Sequence, residues 1–108
     1  MEQLNKVELR GIVGNARVQN IGETQMIRFS VATDYIHNSN GNVIVETTWH
    51  QVVAFKNDKM PDFDKITRGA GVEVIGRLRN NRFTNSDGVE ITFTEIIASK
   101  IELYGLGR

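Results

Sequence analysis

Two short stretches hold most of the residues with chemical potential, and both place them at every second position. In Thr47-Thr48-Trp49-His50-Gln51-Val52-Val53-Ala54-Phe55, alternation along an extended chain turns Thr47, Trp49, Gln51, Val53 and Phe55 to one side. His50, Val52 and Ala54 turn to the other, which suits a core or a subunit contact. Trp49 and Phe55 then stand about 20 Å apart, far enough to take two separate flat groups. In the second stretch, Arg77, Arg79, Asn81 and Phe83 share a face opposite Val74, Leu78 and Arg82. Guanidinium, guanidinium, amide and phenyl in succession make an odd core. They suit a groove where cations meet phosphates and a ring meets a base. Stacking is worth about 1–3 kcal/mol per base and tolerates any base, because every base has a π-face. Arg10, Arg28 and Lys56, the last directly after Phe55, are further candidate contacts. Each residue also has a plainer reading: a lone tryptophan is more often core, and an arginine pair is most often a solvated strand face. Their joint spacing favours a binding surface.

Such a surface needs strands, and five stretches read as strands. They are Lys6 to Val13, Met26 to Asp34, about Val43 to Phe55, Gly71 to Phe83, and Val89 to Leu103. All show period-two alternation with β-branched residues. Ile27, Phe29 and Val31 form one face of the second strand, with Arg28, Ser30 and Ala32 on the other. The fifth alternates through Ile91, Phe93, Ile97 and Ile101. Asn40-Gly41-Asn42 and Ser86-Asp87-Gly88 mark hairpin tips, and Gly22 a turn. The stretch from Tyr35 to Asn42 reads as a long hairpin arm. Only 57–68 breaks the rhythm: Pro61 opens a short helix, Phe63 and Ile66 fall on one face, and Gly69 stops it. Three strands, a helix and two strands is the order of the OB fold. The expectation is therefore an all-β chain, a five-stranded Greek-key barrel with one short helix between strands 3 and 4. Another small antiparallel barrel is the competing architecture.

The chain has 108 residues, the size of one domain, and no internal repeat or linker divides it. No apolar run is long enough to cross a bilayer, and the first residues lack a secretory pattern; cytoplasm is the default location. With no cysteine and two histidines outside any ligand spacing, a metal centre is not indicated. No nucleophile motif appears either, so an enzyme is not expected and no cofactor is implied. The 13 basic and 13 acidic residues cancel, which argues mildly against a polyanion partner. Charge position matters more than the sum. Between Glu73 and Asp87 there is no acid, while Arg77, Arg79 and Arg82 lie there; acids gather instead at Asp58, Asp62 and Asp64.

The Thr47–Phe55 segment resembles the most recognisable stretch of the bacterial single-stranded-DNA-binding (SSB) family. So does the opening Asn5-Lys6-Val7-Glu8-Leu9-Arg10-Gly11. Phe29-Ser30-Val31-Ala32-Thr33 is similar to the family's second strand, while Gly76 to Phe83 and Thr94-Glu95-Ile96 match its fourth and fifth. The likeness covers nearly the whole chain in order. It implies a homo-oligomeric OB-fold protein, a tetramer or alternatively a dimer, that coats single-stranded DNA in replication, recombination and repair. Stacking positions carried over are Trp49, Phe55 and Phe83, with His37 or the nearby Tyr35 as a fourth. Matching basic positions are Lys6, Arg79 and Arg82, with Arg68 a weaker match. His50 matches a subunit-interface position.

Three departures stand out. Phe83 replaces a frequent tryptophan. The segment KNDKMPDFDKITRG matches poorly. The family's long tail with an acidic tip does not follow Tyr104-Gly105-Leu106-Gly107-Arg108, so the chain is either a truncated form or a short relative without tail-mediated recruitment of repair and replication enzymes. Two other readings stay open. One is a protein-interaction OB module of the primosome-assembly (PriB) type. The other is an RNA-binding OB domain.

Overall fold

A computed structural model of the chain describes residues 1–104. It consists of five strands, β1 (Val7–Ile21), β2 (Thr24–Ser39), β3 (Asn42–Phe55), β4 (Gly71–Thr84) and β5 (Glu90–Tyr104), and one 3₁₀ turn, Phe63–Lys65. The strands close into a barrel in the order β1-β2-β3-β5-β4. All pairings are antiparallel except β3 with β5. That single parallel contact is what the long excursion between β3 and β4 makes possible.

The inward positions of β2 and β3 are the alternating apolar ones. Ile27, Phe29 and Val31 lie opposite Ala54, Val52 and His50, and all but the histidine are buried. Val13, Val72, Val74 and Ile101 complete the interior from the other strands. Phe63 and Ile66 enter it from one end and are fully buried.

The expected helix is a single 3₁₀ turn. Asp62 before it and Ile66 after it have non-helical ψ angles of 133° and 88°. Two apolar anchors three residues apart need only one such turn, because side chains at i and i+3 eclipse in 3₁₀ geometry. Main-chain bonds from Val13 N–H to the Ala70 carbonyl and from Gly69 N–H to the Val13 carbonyl, both 2.9 Å, fasten the end of this segment to β1.

Two strands run further than the hydrophobic pattern indicates. Beyond Val13, β1 continues to Ile21 after a bulge between Val13 and Ala16. Residues 15–21 are all exposed, so cross-strand backbone bonds rather than burial carry this part, and no apolar rhythm marks it. The arm is likewise paired strand, not loop. β2 and β3 stay in register to Ser39 and Asn42, and Asn40 and Gly41 between them have φ of 53° and 85°. Positive φ at both central residues is the type I′ turn, whose twist matches that of the strands it joins.

The alternation read along β5 does not hold through its length. Opposite Ile75 and Gly76 the register shifts by one residue, with Lys100 paired to Ile75 and Ala98 to Gly76. Ser99 is the extra residue, and inside-outside parity flips across it. Ile101, Ala98 and Ile96 point inward, whereas Ile91, Phe93, Glu95 and Ile97 share the outer face with Arg77, Arg79, Asn81 and Phe83. Gly76 allows the close approach: a Cβ there would lie 2.2 Å from the Ile97 carbonyl oxygen.

Candidate nucleic-acid interface

The outer face of β2-β3-β5-β4 collects the polar and aromatic side chains that the core excludes. Across it, Phe55 lies opposite Met26, Arg28 opposite Val53, Gln51 opposite Ser30 and Trp49 opposite Ala32. Farther over, Arg77, Arg79, Asn81 and Phe83 lie opposite Ile97, Glu95, Phe93 and Ile91. Trp49 is 55% exposed, and Phe55 and Phe83 are also exposed. These rings therefore present open faces on one side of a curved sheet.

Trp49 is held at one edge. Its ring packs over Gly14, where a Cβ would come within 2.4 Å of the indole and 2.9 Å of Ser30 Oγ. Ser30 is itself fixed as acceptor for the Asn15 N–H at 3.0 Å, so the β1 bulge and the indole share one local arrangement. Beside the ring opens a cleft of about 330 Å³, lined by Gly14, Asn15, Arg28, Ser30, Gln51 and Arg68 among others. A ring face, two guanidiniums and two amides thus meet in one concavity. Gly14→Ala should leave the barrel folded but displace the indole. We expect a shift of the tryptophan emission maximum with only a modest change in thermal midpoint; an unchanged spectrum would show that the ring does not depend on that gap.

Glu95 is the main residue of the site that strand alternation does not reveal. Its side chain is 1% exposed, yet it lies on the outer face amid the arginines. It accepts hydrogen bonds from Arg79 Nη2 at 2.5 Å, Arg79 Nε at 3.2 Å, Asn81 Nδ2 at 3.1 Å and Arg28 Nη1 at 3.4 Å. The Arg28 contact crosses β3, and Val53 beneath it is buried rather than turned to solvent. The acid-free interval from 74 to 86 is therefore not free of acids in space. A visible signal existed: a hairpin centred on Asp87 sets Arg79 opposite Glu95. Phe93, which the alternation sets on one face with Ile101, lies outward instead, edge-on to Phe83 with centroids 6.0 Å apart.

The other candidates fall into separate groups. Lys6 and Arg77 line a hollow of about 430 Å³ with Asn5, Ile75 and Ser99. Asn5 clamps this end by exchanging two 2.9 Å bonds with the Leu78 main chain. Arg10 is drawn away from the groove: it donates to Glu73 at 2.9 Å and lies 5.6 Å from the Tyr104 ring centroid. The hydrogen bond to Glu73 raises its already high pKa. Arg82 faces away from Arg79, 3.6 Å from Glu90. Lys56 is half-buried just past β3.

Tyr35 and His37 stack on each other at 5.5 Å, but strand parity sets them on the side of the arm opposite Trp49. His37 Nε2 is 2.8 Å from Glu46 Oε2. His50 is half-buried and bonded to Thr33 Oγ1 at 2.9 Å. Among the described residues no group of three or more His, Asp or Glu could hold a metal ion, and no helix is long and apolar enough to cross a membrane. Gly105–Arg108, where the reading of a missing acidic tail begins, lies outside the described residues.

Comparison with known proteins decides the family. The model of the single-strand binding protein family matches residues 4–104. The chain belongs to this family. A single-stranded DNA-binding protein of Xanthomonas axonopodis pv. citri is 33% identical over 105 residues, covering 94% of this chain and 58% of its own length. One from Neisseria meningitidis serogroup A is 30% identical over 106 residues, covering 94% and 60%. The chain thus spans about three fifths of these bacterial relatives. The mitochondrial single-stranded DNA-binding protein 1-B of Xenopus laevis is 31% identical, covering 91% of this chain and 74% of its own. Among solved structures, a Plasmodium falciparum SSB complex with ssDNA superposes with a TM-score of 0.79 at 26% identity, covering 99% and 98%. The OB-fold barrel expected for the SSB family is the one observed.

Proposed function

We propose that this SSB-family chain is a binding protein, not an enzyme, and that it coats single-stranded DNA without reading its sequence. The observation that carries this reading is that Trp49, Phe55 and Phe83 share one outer face with Arg28, Arg77 and Arg79, while Arg68 reaches the cleft beside Trp49 from the segment between β3 and β4. Rings at strand spacing take bases by stacking, and the guanidiniums between them take phosphates. A chain of zero net charge can do this because its cations are grouped where the rings are. Gln51 extends the polar contacts along the face, Lys6 lines a hollow beside Arg77, and Phe93 backs Phe83. Arg10 and Arg82, each beside its own carboxylate, contribute less than their formal charges suggest. The half-buried His50–Thr33 pair supports a self-association contact, in keeping with a homo-oligomer.

Binding of a labelled oligothymidine, followed by anisotropy across a salt series, tests the reading. The logarithm of affinity should fall linearly with that of salt, by about 0.7 per phosphate neutralised. A matched duplex should bind far more weakly and mixed-sequence single strands about equally. An RNA oligomer preferred over its DNA counterpart would move the assignment to RNA. Negligible affinity for any free oligonucleotide would favour a protein-interaction adaptor.

A further inference from the structure

We propose that Glu95 is a built-in stand-in for a phosphate, restraining Arg28 and Arg79 and so setting how tightly the groove grips a strand. This rests on the single-stranded-DNA reading above and goes one step into how that site is tuned. Three features carry it: the burial of the carboxylate, the side chains that satisfy it, and the exposure of those partners. Glu95 has 1% of its side chain accessible, so it cannot itself repel a strand by contact. Its two oxygens accept from two guanidiniums and one amide, much as a phosphate oxygen pair would. The guanidiniums stay open, with Arg28 51% and Arg79 40% accessible. Each has five N–H donors; Arg28 uses one on Glu95 and Arg79 two. The remaining donors are left free of Glu95 on side chains that are half open to solvent, and two positive charges are reduced by one negative charge.

Competition follows from this arrangement. A phosphate approaching the groove finds guanidiniums already oriented but already partly satisfied. Orientation helps binding, and the neutralised charge weakens it. Glu95→Gln separates the two effects. The amide keeps nearly the same shape, and its oxygen can still accept from Arg79 and Asn81. Its NH₂ group then meets Arg28 and offers it nothing, so Arg28 turns to solvent. Because both arginines are half-exposed, removing the carboxylate leaves hydrated cations rather than stranded buried ones, and the fold survives the change.

The test compares wild type and Glu95→Gln on the same labelled oligothymidine over a salt series, with melting curves for both. Glu95→Gln should bind about fivefold more tightly near 0.1 M salt, with a salt slope steeper by about 0.7, the mark of one more phosphate neutralised. Equal or weaker binding with an unchanged or shallower slope, in a folded variant, would overturn the proposal. No binding by wild type would sink the parent reading and this one with it. If Glu95→Gln does not fold, Asn81→Arg supplies Glu95 with a replacement donor from the exposed side and releases Arg79. Arg79→Ala should then cost more affinity in the Asn81→Arg background than in wild type; an equal or smaller cost would overturn it.

Discussion

Replacing Trp49 with alanine should weaken single-stranded DNA binding roughly five- to hundredfold, the range expected from about 1–3 kcal/mol for one lost stacking platform. Stability should barely move, since more than half of the side chain is in solvent and the core lies on the other face of β3. Trp49→Phe should recover part of the loss, because a smaller ring still offers a π-face. Anisotropy titrations alongside thermal melts separate these effects. A large drop in melting temperature with unchanged affinity would assign Trp49 to packing instead. Loss of binding without loss of the salt slope is the expected pattern, as the phosphate contacts belong to the arginines and not to the indole.

The largest effect on stability is expected at Phe63. Phe63→Ala should cost about 3–5 kcal/mol, the usual toll for emptying an aromatic site in a packed core. That is a large part of the roughly 5–15 kcal/mol that holds a domain together. The ring is 2% exposed and comes from a single 3₁₀ turn, so no neighbouring residue on the same element can close the gap. Urea unfolding would show it as a lower midpoint with little change in slope. A cost under about 1 kcal/mol would mean that the turn is not a true plug of the barrel. Weaker DNA binding should follow, because the Phe63–Ala70 segment also places Arg68 at the cleft beside Trp49.

How far this could be read from the chain alone depended on what each element uses to hold itself. Strands that bury one face announce themselves: Ile27, Phe29 and Val31 fixed β2, and Val52 and Ala54 fixed the inward side of β3, which placed Trp49 and Phe55 outward. Segments held by main-chain pairing leave no such trace, which is why the pattern shows neither the second half of β1 nor the end of β2 beyond Asp34, although it does show β3 from Val43. Ser99 was invisible for a different reason. A bulge residue changes the face of everything beyond it without altering composition, so simple alternation puts Phe93 and Ile101 on one face when they lie on opposite ones. Alternation shows Arg77 and Arg79 as an outward pair but not the acid that partly neutralises Arg79, because Glu95 arrives from the next strand. The resemblance to the family makes His37, or the nearby Tyr35, a fourth stacking position, whereas parity along the paired arm turns both away from Trp49.

Trp49 is the only tryptophan in the chain, so its own emission gives the most direct test that the outer face receives bases. Titration with an oligothymidine at low salt should quench this fluorescence strongly and saturably, and added salt should restore it. Emission that stays constant while an independent probe reports DNA bound would contradict stacking on this face, and with it the proposed use of the open side of the barrel.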